Sequence, residues 1–432
     1  MLEPDLTVPG HDAYDVVIVG AGHAGAQVSI ALRQQGFEGS ILIVGDEPDL
    51  PYERPPLSKD YLSGNRSADR LMIRPADFWA QRSIDLRLGR RVTRVDPAIR
   101  QVLCEDGSAI DYRNLIWATG GQPRRLVCSG HSLEGVHTLR TRNDVDRMRA
   151  ELDAVETVVV IGAGFIGLEA AAVLSTLNKR VIVLEQLDRV LGRMSAEPVS
   201  RFYEAEHRAH GVDIRLGVTV DCIEGREGRV AGVRLEGGEE IACEMVIVGI
   251  GIAPAVGPLV EAGAIGGNGV RVDSLCRTNL DGVFAIGDCA LHPNRHADGA
   301  LVRLESVQNA NDQAGLVAKV LTGGQAEYDS IPWFWSNQYD LKLHTVGLSI
   351  GYDQAVMRGE PGDRSFSLIY LKEGRVVALD CVNAMRDFVQ GKSLISRAVV
   401  DTSKLADSNI PLKDQVGMNP RAAAGIGSAP AV

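Results

Sequence analysis

The sequence predicts an α/β protein in which two similar β–α–β units are followed by a smaller α+β region. One pattern, a β-branched run leading into Gly-x-Gly-x-x-Gly and then a helical pattern, occurs twice, at residues 15–25 and 157–167. The three glycines allow a tight turn, close approach of a phosphate to the backbone, and helix–strand packing. The free N–H groups of the following helix then face the anion. Each copy is therefore predicted to bind a dinucleotide.

Each glycine motif is followed by a second predicted strand that ends in an acidic residue. Asp46, beside Glu47, lies 26 residues after Gly20, and Glu185 lies 23 residues after Gly162. A carboxylate at roughly this spacing, about 20 residues, accepts hydrogen bonds from the ribose of a bound dinucleotide. The alternative for either acid alone is an ordinary solvated residue at a strand end. Two acids in register with two glycine motifs favour two bound dinucleotides.

Composition excludes several classes of protein. A chain of 432 residues suits two or three domains, and 45% apolar with 23% charged residues is typical of a globular protein. The net charge of −11 argues against nucleic acid as the main partner. The N-terminus has no apolar signal-peptide core. The apolar stretch 157–175 is interpreted as a buried strand and helix, because it holds a glycine motif and Glu169. We expect no membrane and no nucleic-acid partner.

The seven cysteines are scattered, and no pair has C-x-x-C or C-x4-C spacing. An odd, dispersed set is typical of a reducing compartment rather than of a disulfide framework. It also lacks the spacings of iron–sulfur and zinc sites. We therefore expect a cytoplasmic protein that holds no metal and has no redox dithiol of its own.

The remaining pattern predicts the elements between and after the two motifs. They are strand–helix–strand over 14–45, short strands over 84–117, a helix over 143–153, an antiparallel meander over 212–251, a helix over 303–321 and a separate α+β region over 331–400. Residues 1–13 and 419–432 are predicted to be flexible tails.

A few positions are candidates for chemistry. The paired prolines of the segment 54–59 are predicted to fix an extended loop that holds the Lys59 side chain in place. The alternative is an ordinary solvated lysine. Asp288 follows an apolar strand, where it can accept from a ligand hydroxyl or cap a helix. Trp333 and Trp335 share one face of a predicted strand, and ordinary core packing is the alternative to a functional role.

In this order, the motifs resemble the FAD-dependent, pyridine-nucleotide-linked ferredoxin reductases of bacterial oxygenase systems. The resemblance covers roughly residues 14–415 and is carried by the segments 54–59, 118–120, 165–169, 286–288, 304–307 and 332–339. It implies a glutathione-reductase-like fold with two Rossmann-type dinucleotide-binding domains and a C-terminal α+β domain. The implied boundaries are 14–119 and 255–327 for a split FAD domain, 120–254 for an inserted NAD domain, and 328–418 for the C-terminal domain.

The same resemblance implies which residues contact the two cofactors. For FAD they are Gly20, Gly22, Ala24, Gly25, Asp46, Lys59, Val92, Arg140, Asp288, Val307 and Trp335. For NAD they are Gly162, Gly164, Ile166, Gly167, Glu185 and Gly251. Asp46, rather than Glu47, is expected to hold the ribose of FAD. Lys59 and Glu169 are expected to form a catalytic pair, with Lys59 near the flavin N5 atom.

The resemblance also implies where electrons leave the protein. The wider superfamily places a redox cysteine pair beside the flavin, and this chain has none. We therefore expect hydride transfer from NADH to FAD, then single electrons to an external 2Fe–2S ferredoxin that supplies a cytochrome P450 or ring-hydroxylating oxygenase. Trp333 and Trp335 would line the exposed flavin edge. Members of the family suggest a monomer.

Glu185 predicts the choice of nicotinamide cofactor. A carboxylate at that position accepts from the 2′-hydroxyl of NADH and repels the 2′-phosphate of NADPH. Arg189 and Arg193 lie close behind it in the sequence and could soften the preference.

Two alternative functions stay open. An NADH oxidase, a peroxidase or another small-acceptor NADH-dependent flavin reductase would share the fold. Oxidases and peroxidases of this fold rely on a redox cysteine after the second strand, however, and residues 46–62 contain no cysteine. A flavoprotein with a binding or signalling role is disfavoured by the acidic net charge and by the absence of a basic stripe for nucleic acid.

Overall fold

The structure, a computed structural model, describes residues 12–396 and 402–415 of the chain. The tail predicted at 419–432 lies outside the described residues, as do residues 1–11 of the tail predicted at the N-terminus. None of the described helices is long and apolar enough to cross a membrane.

The first part of the chain forms a sheet whose central strands are parallel. Its elements are β1 (Asp12–Val19), α1 (His23–Gln34), β2 (Ile41–Val44), α2 (Ala76–Gln81), β3 (Ile84–Arg87), β4 (Val92–Asp96), β5 (Gln101–Cys104) and β6 (Ala109–Trp117). The order in this first sheet is β3-β2-β1-β6-β5-β4, with β1 parallel to both neighbours. Strand β1 begins at Asp12, two residues before the predicted start of the strand at residue 14. Strands β1 and β2 are β-branched runs of the kind that two covered faces favour.

The middle of the chain repeats this plan in a second sheet. Its elements are β7 (Gly121–Pro123), β8 (Val136–Thr138), α3 (Arg142–Glu151), β9 (Thr157–Ile161), α4 (Phe165–Thr176), β10 (Arg180–Glu185), α5 (Glu197–Ala209), β11 (Asp213–Leu216), β12 (Val220–Arg226), β13 (Arg229–Leu235), β14 (Glu240–Ala242) and β15 (Met245–Val248). The second sheet is parallel, in the order β11-β10-β9-β15-β8, and the strands β12-β13-β14 form a small antiparallel sheet. The apolar stretch 157–175 is a buried strand and helix, as predicted.

The meander predicted over 212–251 is wrong at both ends. Strand β11 pairs in parallel with β10, and β15 pairs in parallel with β9, so both belong to the second sheet. Within the predicted meander, the antiparallel strands are β12, β13 and β14. All four residues of β15 are buried, so that strand carries no alternation by which its pairing can be predicted.

The chain then returns to the first sheet. The elements of this stretch are β16 (Ile252–Pro254), α6 (Gly257–Glu261), β17 (Gly266–Gly267), β18 (Gly269–Arg271), β19 (Val283–Ala285), β20 (Ala290–Pro293), β21 (Leu301–Val302) and α7 (Val307–Leu321). Strand β19 pairs in parallel with β6, and α7 packs against α1. Helix α7 starts later than predicted because the Ser306 hydroxyl caps it by accepting from the Asn309 N–H. A split FAD domain requires that the chain return to the first sheet in this way. The predicted domain boundaries remain predictions.

The last part of the chain forms an antiparallel third sheet. Its elements are β22 (Trp333–Gln338), β23 (Leu341–Gly347), β24 (Gln354–Glu360), β25 (Ser365–Lys372), β26 (Arg375–Val382), α8 (Met385–Lys392) and α9 (Thr402–Leu405). The order is β22-β23-β26-β25-β24, which confirms a third α+β region. The edge strand β22 packs against α4, so the third sheet contacts the helix that follows the second glycine motif.

Candidate active site between two dinucleotide cradles

The first glycine motif forms an open cradle at the start of α1, called cradle 1 (residues 20–25). Gly20 has φ +115°, and a Cβ there would lie 2.4 Å from the Ala118 carbonyl oxygen. A Cβ on Gly25 would lie 1.9 Å from the Gly20 carbonyl oxygen. Gly22 caps α1 without a side-chain hydrogen bond, and a Cβ on it would face open space apart from Arg54 Nε at 4.0 Å. The first-turn N–H groups are thus left for an anion, which fits the pyrophosphate of FAD.

The second motif repeats this geometry at the start of α4, as cradle 2 (residues 162–167). Gly162 has φ +103°, and a Cβ there would lie 2.5 Å from the Gly249 carbonyl oxygen. A Cβ on Gly167 would lie 2.1 Å from the Gly162 carbonyl oxygen. Gly164 caps the helix without a side-chain hydrogen bond and has only Met194 Cε near it, at 3.9 Å. Cradle 2 therefore fits a second dinucleotide.

The two acids after β2 have different surroundings. Glu47 accepts hydrogen bonds from the Tyr52 hydroxyl and the Arg54 guanidinium, so its carboxylate is committed within the protein. The Asp46 carboxylate is 53% exposed, and the Arg91 guanidinium lies 3.5 Å from it. This leaves Asp46 available to a ribose, as the prediction requires.

A short turn after β19 closes one side of cradle 1. The 3-10 turn Gly287–Cys289 carries Asp288, whose carboxylate lies 3.8 Å from the Arg140 guanidinium. Burial raises the pKa of Asp288, against the opposing charge of Arg140. The Gly287 N–H donates to the buried Gln313 side chain, and a Cβ on Gly287 would lie 3.1 Å from Ala24 Cβ. The structure thus brings Ala24, Arg140 and Asp288 together.

The other residues predicted to contact FAD lie on three different elements. Val92 begins β4, directly after the Arg91 that approaches Asp46. Val307 begins α7, the helix that packs against the Gly287–Cys289 turn. Trp335 lies in the middle of β22, with its ring centroid 5.6 Å from that of Trp333. The contacts of these three residues with FAD stay predictions.

Glu185 ends β10 and reaches across cradle 2. One carboxylate oxygen accepts the Ala163 N–H at 2.7 Å, inside the glycine motif, and the other accepts the Leu187 N–H at 2.9 Å. Each oxygen keeps a lone pair for a ribose hydroxyl. The Arg189 guanidinium donates to three acceptors in its own surroundings: the Ser195 carbonyl, the Ser200 hydroxyl and the Gly192 carbonyl. Arg189 is therefore poorly placed to offset the charge of Glu185.

Two further residues predicted to contact NAD border the same cradle. Ile166 is the second residue of α4 and is 44% exposed. Gly251 lies between β15 and β16 with φ +95°, and no atom within 4 Å would meet a Cβ there. Both positions leave space beside cradle 2.

Lys59 and Glu169, which were predicted to pair, form an ion pair whose carboxylate is buried, and their catalytic role stays a prediction. Lys59 Nζ lies 2.5 Å from Glu169 Oε2, and the Glu169 side chain is 1% exposed. Two hydroxyls complete the carboxylate: Ser58 Oγ donates to Oε2 and Ser336 Oγ donates to Oε1, each at 2.6 Å. A buried carboxylate needs such a full set of donors. Three parts of the chain, the loop before Lys59, helix α4 and strand β22, meet at this one group.

The local backbone explains how Lys59 is held. The prolines were predicted to fix an extended loop, but Pro55 instead begins a 3-10 turn, Pro55–Ser58. Proline suits the first position of a helical turn, because its fixed φ matches and its missing N–H is not needed there. The Lys59 N–H closes the turn on the Pro56 carbonyl at 3.0 Å, and its ammonium also donates to the Pro55 carbonyl at 3.2 Å.

Sequence reasoning missed both serines at this centre. Ser58 adjoins Lys59 in the same short turn, and proximity alone could have suggested it. Ser336 lies on the face of β22 opposite to Trp335, because side chains alternate along a strand. The sequence analysis assigned a role only to the face of β22 that carries the tryptophans, and it assigned none to the opposite face, which carries Ser336.

The seven cysteines, all within the described residues, are free thiols. Cys289, which adjoins Asp288, is buried, and its Sγ donates to the Ile286 and Trp117 carbonyls. Burial raises the pKa of this thiol to about 11, so it carries little thiolate at neutral pH. The nearest cysteine to the predicted FAD contacts is therefore a structural residue.

The structure has two dinucleotide cradles. A lysine–carboxylate pair joins the loop beside cradle 1 to the helix that starts at cradle 2. These features define the class of two-dinucleotide flavoprotein oxidoreductases. Residues 14–314 match the pyridine nucleotide-disulphide oxidoreductase family, and residues 333–416 match the reductase C-terminal family.

Comparison with individual proteins narrows the class. The ferredoxin–NAD(P)+ reductase of Sphingomonas sp. is 53% identical over 408 residues, 94% of this chain and 99% of that protein. The ferredoxin reductase subunit of 5,5′-dehydrodivanillate O-demethylase from Sphingobium sp. is 53% identical over 403 residues, 93% and 98% of the two chains. The solved covalent putidaredoxin reductase–putidaredoxin complex matches with a TM-score of 0.90 at 39% identity, covering 96% of this chain and 99% of that one.

This chain belongs to the ferredoxin reductases of the pyridine nucleotide-disulphide oxidoreductase family. The predicted glutathione-reductase-like fold is confirmed. The protein is an oxidoreductase that uses FAD and a nicotinamide dinucleotide, as its two cradles require.

Proposed function

We propose that this protein is an NADH-dependent ferredoxin reductase, whose electrons pass to a 2Fe–2S ferredoxin and then to a cytochrome P450 or ring-hydroxylating oxygenase. The observation that carries the proposal is the buried Lys59–Glu169 pair, because it joins the loop beside cradle 1 to the helix that starts at cradle 2. Relatives named as ferredoxin reductases of an O-demethylase and of a dioxygenase system support the choice of acceptor.

Lys59 and Glu169 are the residues to which we assign catalytic roles. FAD, when bound, supplies the chemistry of taking up a hydride and releasing its electrons singly. The Lys59 ammonium would stabilise negative charge that develops beside it, and a preorganised charge in a buried site does this without reorganisation. Glu169 holds that ammonium in one place through the 2.5 Å contact, and its two serine donors hold Glu169.

The absence of an internal acceptor among the described residues supports an external one. The thiol next to Asp288 is buried with a raised pKa, and no cysteine lies in residues 46–62. Trp333 and Trp335 are half-buried, with ring centroids 5.6 Å apart, and we assign them to the edge through which electrons leave. We also propose that the protein works as a cytoplasmic monomer.

Glu185 supports NADH as the physiological donor. Its carboxylate is held by two backbone N–H groups, one of them inside cradle 2, and would accept from the adenosine ribose of a dinucleotide bound there. A 2′-phosphate there would meet a fixed negative charge, whereas a 2′-hydroxyl would find an acceptor.

NADH-dependent cytochrome c reduction, measured with and without a bacterial 2Fe–2S ferredoxin while oxygen uptake is followed, tests the proposal. An electron-transfer reductase should depend strongly on ferredoxin and consume little oxygen. Rapid oxygen uptake that ignores ferredoxin would instead identify an NADH oxidase, and the partner assigned here would be wrong.

A further inference from the structure

A buried chain of side chains leads away from Glu169 on the side opposite to Lys59. Ser336 Oγ, which donates to Glu169 Oε1, receives a hydrogen bond from Gln338 Nε2 at 3.2 Å. The Gln338 Oε1 atom lies 2.8 Å from His207 Nε2, and His207 Nδ1 lies 3.1 Å from the Tyr339 hydroxyl. Ser336, Gln338 and His207 are each at most 1% exposed.

Glu169 fixes the direction of every bond in this chain. A carboxylate can only accept, so the Ser336 hydroxyl must donate to it, and the Ser336 oxygen is left to accept from the amide of Gln338. The Gln338 carbonyl then requires a proton on His207 Nε2, which leaves Nδ1 as an acceptor for the Tyr339 hydroxyl. Burial lowers the pKa of His207 to about 4, which agrees with a neutral ring that carries one proton. All four donors therefore point towards Glu169.

The outer end of this series of hydrogen bonds lies in the two-residue turn between β22 and β23. Tyr339 has φ +54°, a left-handed conformation that is uncommon for a bulky aromatic residue. Its ring stacks on His210 with centroids 3.7 Å apart, and its hydroxyl also lies 3.2 Å from Ser175 Oγ. Such a conformation persists where the surrounding contacts determine it. These contacts come from Ser175 of α4 and from His210, which directly follows α5.

We propose that Gln338, His207 and Tyr339 are positioning residues that hold Glu169, and through it Lys59, in the geometry needed for flavin reduction. The proposal rests on the role given to Lys59 above. Aligned hydrogen bonds polarise one another in a buried site, so the chain supports the negative charge of Glu169 beyond its contact with Lys59. Without the chain, Ser336 loses its orientation, Glu169 gains freedom to move, and the ammonium moves with it.

The test compares purified holoenzyme variants by anaerobic rapid mixing with NADH and by the midpoint potential of the bound flavin. Gln338→Leu breaks the middle of the chain, and Tyr339→Phe removes only the outer donor. Ser367→Ala is the matched control. Ser367 lies in the third sheet, and the substitution deletes its buried hydroxyl, which donates to the Asp387 carboxylate at 3.0 Å. Arg358 still pairs with that carboxylate.

We expect Gln338→Leu, which removes two neutral hydrogen bonds, to slow flavin reduction about tenfold, and Tyr339→Phe, which removes one, to slow it about threefold. In both variants the midpoint potential should become more negative, with FAD content and the KM for NADH retained. Ser367→Ala should match the wild type. If Gln338→Leu does not fold, Tyr339→Phe carries the test alone.

Rates and potentials in Gln338→Leu and Tyr339→Phe that match Ser367→Ala would overturn the inference. Lys59→Ala separates this failure from failure of the proposed function. If Lys59→Ala slows flavin reduction and Gln338→Leu and Tyr339→Phe do not, only the positioning role of Gln338, His207 and Tyr339 is wrong. If Lys59→Ala has no effect, the role of Lys59 itself is wrong.

Discussion

Cradle 1 and cradle 2 share one backbone geometry but differ in what surrounds their glycines. Cradle 1 is bordered by the Arg54–Glu47 and Arg140–Asp288 pairs. Cradle 2 is bordered by apolar Ile166 and Met194, which are 44% and 46% exposed. The glycine motif therefore makes a dinucleotide site, while its surroundings decide how the site is used. We infer that cradle 1 retains its cofactor and that cradle 2 exchanges its own.

Substituting the third glycine of each motif should separate the two cradles most strongly. Gly25→Ala and Gly167→Ala each force a Cβ to within 1.9 or 2.1 Å of a carbonyl oxygen. Overpacking of this kind costs about 1–3 kcal/mol, or up to roughly 100-fold in affinity. We expect Gly25→Ala to be purified with little FAD, and Gly167→Ala to keep its FAD while its KM for NADH rises. Absorbance at the flavin band and steady-state kinetics measure both. Loss of FAD from Gly167→Ala, with cradle 1 intact, would contradict the assignment.

The next largest effect concerns the acid of cradle 2. Glu185→Gln removes the charge that opposes a 2′-phosphate, and the ratio of kcat/KM for NADH over NADPH should fall roughly tenfold or more, about the worth of one charge-assisted contact. Asp188→Asn, an exposed acid in the same loop, is the control and should leave the ratio unchanged. Equal kcat/KM for the two cofactors in the wild type would show that Glu185 does not select NADH.

The two acids beside cradle 1 should give smaller effects, one on FAD binding and the other on stability. Asp46→Asn should weaken FAD binding about tenfold or less without changing stability, because its carboxylate is exposed. Glu47→Gln should lower the free energy of unfolding by about 1–3 kcal/mol, since Tyr52 and Arg54 would lose an ionised partner. Flavin titration of the stripped protein and denaturant unfolding distinguish them. A reversal of the two results would make Glu47 the ribose ligand.

His23 in cradle 1, where cradle 2 has Phe165, predicts a small dependence of stability on pH. Burial lowers the pKa of His23 from 6.5 to about 4. The unfolded chain therefore takes up a proton that the folded chain does not, and stability falls as pH drops from about 6.5 towards 4. Between pH 7 and 6 this amounts to roughly 0.7 kcal/mol. In flavin-stripped protein, unfolding of His23→Phe at the two pH values should show a shallower loss than the wild type. An identical loss would indicate that His23 is not buried in a neutral form.

Features that depend on local pattern could be predicted from the sequence. The glycine spacings predict both cradles, and alternation places Trp333 and Trp335 on one face, because each depends on residues close along the chain. The resemblance supplied the Lys59–Glu169 pairing. The donors around Glu169 could not be predicted in this way. Ser58 and Ser336 lie 111 and 167 residues from Glu169 along the chain, and only the packing of the Pro55–Ser58 turn, helix α4 and strand β22 brings them together.

The most direct test of the account is anaerobic rapid mixing of NADH with wild type and Lys59→Ala, with the surface variant Lys319→Ala as control. If Lys59 stabilises the negative charge that develops during flavin reduction, its loss should slow reduction roughly 10- to 100-fold, the worth of a charged hydrogen bond, while FAD content stays the same. Reduction of Lys59→Ala at the rate of the wild type and of Lys319→Ala would contradict the central claim that the buried pair between the two cradles is the catalytic centre.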